Sequence, residues 1–236
     1  QMPIDLHLHS TASDGTATPQ ELVRYALKLN LKAIAITDHD SVEGIPVALK
    51  ESRRQNIEVI PGVELSSDLN GLDVHFLGYF IDYQNRWLRR HLKKLHQSRY
   101  ERALKMVEKL REAGVKIFFE DVLAEAREGT VGRAHVARVM IKEGYIDTIE
   151  EAFERYIGRQ APCYVEKYVY TPEDVIRIIK KVGGVAIFAH PGLTRCDEKI
   201  PEFVQAGVAC LEVYHSEHTP EQIEYYLEMA RKNGLV

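Results

Sequence analysis

Short apolar runs alternate with capped amphipathic helices along this chain, and that alternation leaves few architectures open. Ala33–Thr37, Gly184–Ala189 and Cys210–Tyr214 read as brief strands, the first a run suited to a buried parallel strand. Pro3–His9, Ile57–Leu65 and Leu72–Ile81 read as three more. Thr18-Pro19-Gln20-Glu21 supplies an N-cap, a proline at the first helical position and a capping-box glutamate, opening a helix to about Leu29. Thr171-Pro172-Glu173-Asp174 opens another to Lys181, a third runs from Thr219 to Lys232, and Val47–Gln55 is helical by pattern. Between these halves the rhythm breaks. From Gln84 to about Gly114 the sequence is one long, heavily charged helical stretch, and helices and turns continue to Pro162. β/α alternation on both sides of a helical block predicts an α/β barrel with an inserted helical subdomain. The expected division is barrel over 2–83, insertion over 84–165 and barrel again over 166–236. Gly234-Leu235-Val236 reads as a helix stop followed by the start of a seventh strand.

The 236 residues, 45% hydrophobic and 28% charged, suffice for one barrel core and an insertion. A net charge of −4 excludes a bulk basic field for non-specific nucleic-acid binding. No run of eighteen apolar residues and no signal pattern argue for a membrane partner. Three cysteines (Cys163, Cys196, Cys210) without metal-ligand spacing fit a reducing, cytoplasmic setting.

The chemistry sits at strand ends. Ile4-Asp5-Leu6-His7-Leu8-His9 alternates strictly, so Asp5, His7 and His9 share one face, and two imidazoles two residues apart on a strand can chelate a cation. Thr37-Asp38-His39-Asp40 follows a strand directly, more acid and imidazole than a helix cap explains. Glu64 ends an apolar run, His75 interrupts another, and His190 stands where a buried strand meets Pro191. Asp14 joins from Ser13-Asp14-Gly15 in the first loop. An ordinary core does not place His, Asp or Glu at the carboxyl end of five successive strands, where barrels carry their chemistry. Seven potential ligands, His7, His9, Asp14, His39, Glu64, His75 and His190, exceed what one tetrahedral zinc requires. A site of two or three divalent cations is expected, and mixed N and O donors suit Mn, Zn or Fe.

The order His-x-His, Ser-Asp-Gly, Thr-Asp-His-Asp, Gly-Val-Glu, Val-His-x-Leu-Gly and Ala-His-Pro-Gly resembles the PHP (polymerase and histidinol phosphatase) domain, from Asp5 to Val236. Within it the chain is similar to stand-alone phosphoesterases acting on nucleoside phosphates and short oligonucleotides. Gly132-Arg133-Ala134-His135-Val136-Ala137-Arg138 and Glu151-Ala152-Phe153 resemble that subgroup's insertion. The resemblance implies a distorted (β/α)7 TIM-like barrel with a trinuclear centre. His7, His9 and Glu64 would hold one ion, Glu64 would bridge to a second shared with His75 and His190, and Asp14 and His39 would hold a third. The family's late Gly-Ser-Asp-x-His motif follows the strand that here begins at Leu235. It is not in this sequence, so the chain is expected to be a fragment without its last strand and two ligands. His215 and His218 are expected near the rim and not as substitutes.

The implied activity is hydrolysis of phosphomonoesters or phosphodiesters, of a nucleotide or an oligonucleotide end, by hydroxide generated on the cations. Glu64, His190 and Asp38 are the expected catalytic residues, with Asp5 and Asp40 beside Asp38 as candidates to orient imidazoles. Arg133 and His135, at a helix start, and Arg195 are expected to bind the substrate phosphate. The alternatives are an amidohydrolase-like metal hydrolase, a histidinol-phosphatase-type activity and a non-catalytic PHP-like module.

Overall fold

The computed structural model describes residues 3–53, 55–166 and 170–236. Met2, the expected first residue of the barrel, and residues 54 and 167–169 lie outside the described residues. Six strands, β1 (Ile4–Leu8), β2 (Ala33–Ile36), β3 (Glu58–Leu69), β4 (Leu72–Tyr79), β5 (Val185–Phe188) and β6 (Val208–Leu211), form one sheet in sequence order. Ten α-helices are assigned among the described residues: α1 (Pro19–Lys28), α2 (Gly44–Ser52), α3 (Arg86–Glu112), α4 (Phe119–Ala126), α5 (Arg133–Lys142), α6 (Ile149–Ala152), α7 (Pro172–Lys181), α8 (Pro191–Thr194), α9 (Ile200–Ala206) and α10 (Pro220–Lys232).

The expected capping is in place: the hydroxyls of Thr18, Thr171 and Thr219 accept backbone N–H groups in the first turns of α1, α7 and α10. α2 begins three residues before the expected Val47, because Pro46 falls in its first turn, where a missing N–H leaves no hydrogen bond unmade.

One expectation is corrected. The sheet is not all parallel: β4 runs antiparallel to both β3 and β5, while β1–β2, β2–β3 and β5–β6 are parallel. Asn70 and Gly71, at φ 51° and 85°, make the two-residue turn that folds β4 back on β3. Two positive φ values are what a type I′ hairpin turn requires, and Asn-Gly is the pair that adopts them most readily.

The outer face of the sheet carries Ile34, Ile36, Val63, Leu65, Phe76 and Phe188 into one buried core with α1, α2, α7, α9, α10 and the first turns of α3. A second core lies among α3, α4, α5 and α6, built on Met106, Val107, Leu110, Val122 and Val136. α3 spans both: Leu88, Leu92 and Leu95 belong to the first, and Ala103, Met106 and Leu110 to the second. No helix among the described residues is long and apolar enough to cross a membrane.

The sheet curls into a half-barrel. Glu212, just past β6, reaches His7 of β1 at 2.8 Å, and the Tyr79 hydroxyl of β4 donates to the Leu6 carbonyl at 2.9 Å. Side chains from the first and last strands therefore meet over the concave face. Glu64, Leu77, Ile187 and Cys210 stand in register in one row across that face.

Candidate metal centre

Glu64 is the hub of the concave face and is 1% exposed. It lies seven residues into the twelve-residue β3, not at a strand end, and its carboxylate projects where neighbouring strands run into loops. Oε1 is 2.8 Å from His75 Nδ1 and 3.0 Å from His190 Nε2. Oε2 is 3.2 Å from His7 Nε2, 3.1 Å from His9 Nε2 and 3.1 Å from His39 Nδ1. Each oxygen thus faces its own set of imidazoles. Asp14 adds a carboxylate, with one oxygen 3.5 Å from His9 Nδ1 and the other 3.7 Å from His39 Nε2.

The backbone places these groups before side-chain packing does. His39 pairs with Glu64 as a parallel bridge, secured by Asp40 N–H donating to the Glu64 carbonyl at 2.8 Å. His75 opposes Ser66 while Glu64 opposes Leu77, so His75 and Glu64 are diagonal neighbours on one face of the hairpin. Because β4 is reversed, its early residue His75 lies at the same edge as the late residues of the parallel strands. His190 caps α8 at φ 29°, a rare backbone state for a side-chain-bearing residue, and so turns its ring back toward Glu64. The first loop doubles back on β1, where a Cβ on Gly15 would overlap the His9 carbonyl.

The electrostatics are those of a site in need of cations. Burial opposes ionisation of Glu64, but the imidazoles of His39, His75 and His7 outweigh it and hold its carboxyl well below the usual range. Burial likewise disfavours charge on His7, yet Glu64 and Glu212 raise its pKa to about 10. His39, where desolvation prevails, is lowered to about 3. Asp14 is brought down to about 2 by His39 and His9 against the effect of burial. Among the described residues His39 Nδ1 and His190 Nδ1 are buried without a hydrogen-bond partner. Five imidazoles surround the one Glu64 carboxylate. Among the described residues, ligand atoms within 4.8 Å of one another group as His7–His9–Glu64, His39–Glu64–His75, His9–Asp14–His39 and His7–Glu212–His215, and this N and O donor set fits divalent cations.

A cleft opens from Asp14, His39 and His75 toward the helices. Its far wall carries Arg99 and Arg102 of α3 and Arg133 of α5, with Met106 and Phe153 as apolar lining. Arg99 donates to Asp40 Oδ2 at 2.6 Å and to Ser66 Oγ at 2.8 Å. Arg133 donates to Asp73 at 3.0 Å and lies over the Phe153 ring at 4.8 Å. Arg102 is 6% exposed; its Nε donates to the Val165 carbonyl at 2.7 Å, while Nη2 has no hydrogen-bond partner among the described residues. Burial, reinforced by Arg133, lowers its pKa to about 10.

Residues 5–166 match the model of the PHP domain. The chain belongs to the PHP family. It is 32% identical to a 5'-3' exoribonuclease, Rnm, of Salmonella typhimurium, over 98% of this chain and 81% of that one. It is 31% identical to a 3',5'-nucleoside bisphosphate phosphatase of Chromobacterium violaceum, over 98% and 84%. A crystal structure of a metal-dependent phosphoesterase candidate from Bifidobacterium adolescentis superposes with a TM-score of 0.91 at 31% identity, covering 99% of this chain and 85% of that one.

The remaining sequence-predicted residues of this PHP chain fall outside the cluster. Asp38 is fully buried; its carboxylate accepts Ser10 N–H at 2.6 Å, Ser10 Oγ–H at 2.7 Å and Ser13 Oγ–H at 2.7 Å. It shapes the loop carrying His9 and Asp14, with no open face for a substrate. Asp40 anchors Ser66 and Arg99, and Asp5 accepts the His7 backbone N–H. His135 is 2% exposed, and its Nδ1 accepts the Gly132 N–H, capping α5. Arg195 is exposed on the left-handed cap of α8. His215 is the exception: its ring is 5.9 Å from His7 and 5.6 Å from His190 between centroids, and it offers a ligand atom within 4.8 Å of His7 and Glu212, while His218 is buried, bonded to the Val213 carbonyl and the Gly192 N–H.

The sequence reading did not single out Arg99, Arg102 or Glu212. An arginine in a heavily charged 27-residue helix reads as a solvated face, and one glutamate after an apolar strand is commonplace.

Proposed function

We propose that this protein is a metal-dependent phosphoesterase that hydrolyses phosphate esters of nucleotides or oligonucleotide ends, with a second phosphate of the substrate held by arginines. His7, His9, Asp14, His39, Glu64, His75 and His190 would hold two or three divalent cations. Glu64 would bridge two of them, consistent with its Oε1 facing His75 and His190 and its Oε2 facing His7, His9 and His39. Bound cations would supply an acidified water near neutral pH and neutralise charge on the reacting phosphoryl oxygens.

The observation carrying the substrate class is the cleft that joins this cluster to Arg99, Arg102 and Arg133. Guanidinium forks match phosphate geometry, and a buried arginine nitrogen without a partner is costly until an anion meets it. Arg102 Nη2 is such a nitrogen. Arg133 would exchange Asp73 for the substrate, with the Phe153 ring packed 4.8 Å from its guanidinium. A doubly phosphorylated nucleotide presents one phosphate to each end. The activities of the exoribonuclease and bisphosphate phosphatase relatives accord with this substrate class.

In the same reading the fold is a distorted (β/α)7 barrel interrupted by helices, with barrel over 2–83 and 166–236 and insertion over 84–165. Separate cores for the sheet and for α4–α6 support that division, as do backbone hydrogen bonds that pair Val236 with Ala209 and Leu211 beside β6.

The test is a substrate panel with Mn²⁺: nucleoside 3',5'-bisphosphates, nucleoside monophosphates, 5'-phosphorylated oligoribonucleotides, histidinol phosphate, and amide and lactone substrates. Phosphate release greatest from substrates with two or more phosphates is expected. Turnover of amides or lactones alone overturns the reading.

A further inference from the structure

We infer that Glu212 is a positioning residue for the cation cluster, setting the orientation of His7 and of His190 at once. The inference rests on the metal-centre reading above.

Glu212 follows β6, and its own N–H donates to the Phe188 carbonyl at 3.0 Å, so its backbone is fixed against β5. Its carboxylate is divided between two tasks. Oε1 accepts from His7 Nδ1–H at 2.8 Å, and Oε2 accepts the His190 backbone N–H at 2.7 Å. The first contact settles which nitrogen of His7 meets the hub. With the Nδ1 proton taken by Glu212, Nε2 is the atom left 3.2 Å from Glu64 Oε2. A carboxylate on the far nitrogen of a ligating imidazole fixes its tautomer and raises its basicity.

The second contact acts on the backbone. His190 adopts φ 29° and ψ 60°, a conformation costing on the order of 1–3 kcal/mol unless its surroundings enforce it. The carboxylate on its N–H holds that conformation, and with it the ring whose Nε2 lies 3.0 Å from Glu64 Oε1. One residue thus orders an imidazole on each side of the hub. It also bridges β1 to β6 across the mouth of the half-barrel. Glu212 also lies within 4.8 Å of ligand atoms of His7 and His215, and its two hydrogen bonds direct its oxygens to His7 and to the His190 backbone.

Glu212→Gln keeps the shape but leaves one acceptor for two donors. Metal-stripped wild-type and variant proteins are titrated with Mn²⁺ by calorimetry, and their thermal melts recorded. Mn²⁺ affinity is expected to fall about 10- to 100-fold with a cooperative melt retained. Glu212→Asp, with two acceptor oxygens on a shorter arm, recovers part of that loss. In the Zn²⁺-loaded protein the His7 Nδ1–H resonance, shifted downfield and slow to exchange, is expected in wild type and absent from the Gln variant. A folded Glu212→Gln protein binding Mn²⁺ within twofold of wild type overturns the inference, even with a lowered melting temperature. If Glu212→Gln does not fold, Glu212→Asp is judged by the same affinity criterion. Failure of wild type to bind Mn²⁺ would instead sink the metal-centre reading.

Discussion

His75 Nδ1 lies 2.8 Å from Glu64 Oε1, although the two residues sit on strands running in opposite directions. Their separation is fixed by the β3–β4 ladder, the most rigid kind of connection the backbone offers, and not by a loop. The register sets Glu64 opposite Leu77 and Ser66 opposite His75, so a slip of one residue between the strands would put the two ligands on opposite faces of the sheet. The hairpin gives the cluster a stiff floor, and the remaining imidazoles are brought to it by strand ends and short loops.

Glu64→Gln tests that floor. The amide preserves volume but removes the charge that two cations would share and one acceptor oxygen. The variant is expected to fold, to lose bound metal as measured by elemental analysis, and to lose turnover by at least about a hundredfold. Even an outer partner of a metal ligand typically contributes 10- to 100-fold. Wild-type turnover with a full metal complement in this variant would remove Glu64 from the centre of the mechanism.

Much of this was legible in the residues alone. Strict alternation placed His7 and His9 on one face of β1, and the Thr-Pro openers located α1, α7 and α10 within a residue. The reversal of β4 was not read, although its signal stands in Leu69-Asn70-Gly71-Leu72; the apolar run after it suits a strand of either direction. Asp38 and Asp40 belong to a motif rich in ligand types, yet spacing cannot say which carboxylates face a cleft and which bind serine hydroxyls and an arginine. Arg133 was expected at the phosphate, but Arg99 and Arg102 were hidden, because the wall they share with it forms only when α3 and α5 converge.

Gly15→Ala probes the first loop. A methyl group there would overlap the His9 carbonyl, and the neighbour is backbone, which cannot rotate away. Overpacking of this kind costs roughly 1–3 kcal/mol. For a chain of this size that corresponds to a melting temperature lower by roughly 2–12 °C. Cation affinity should fall too, since His9 and Asp14 flank the strained turn. An unchanged melt by calorimetry would mean that the loop relaxes freely.

Arg102→Met separates binding from chemistry. The substitution retains an apolar stem and removes a buried guanidinium whose Nη2 has no partner among the described residues, so the stability cost should be small. KM for a nucleoside 3',5'-bisphosphate is expected to rise about tenfold or more, the loss of a charge-assisted contact of about 1.5–3 kcal/mol. kcat and the kinetics of a simple aryl monophosphate should change little. Steady-state kinetics on both substrates check this, and equal losses on the two would place Arg102 outside the substrate site.

The cysteines carry a pH dependence of defined sign. Burial, with Glu198 and Asp197 adding to it, pushes the Cys196 thiol up to about 12 from an ordinary 9.0. A raised thiol pKa stabilises the fold fully below about pH 9, and that contribution is lost as pH climbs toward 12. Cys163 and Cys210 are shifted in the same direction by burial. A disulfide-exchange reagent at pH 8 should therefore label the native protein slowly and all three thiols rapidly once it is unfolded. Rapid native labelling of Cys196, read by peptide mapping, would contradict its packing.

Chelation separates the role of the cations in chemistry from their role in folding. Ions that bind only the native state stabilise it by about 2.7 kcal/mol at a hundredfold excess over Kd. Their removal should then lower the melting temperature by roughly 5–11 °C, using about 2–4 °C per kcal/mol for a chain of this length. The shift should not reach complete unfolding. The sheet core and the helical core are apolar and continuous, and without cations the Glu64 charge is still offset by His7. Treatment with EDTA is thus expected to abolish turnover while leaving a cooperative melt, and Mn²⁺ should restore both activity and the lost degrees. Collapse of the melt on chelation would mean that the imidazoles cannot share one carboxylate unaided, and that the cluster needs its ions to fold.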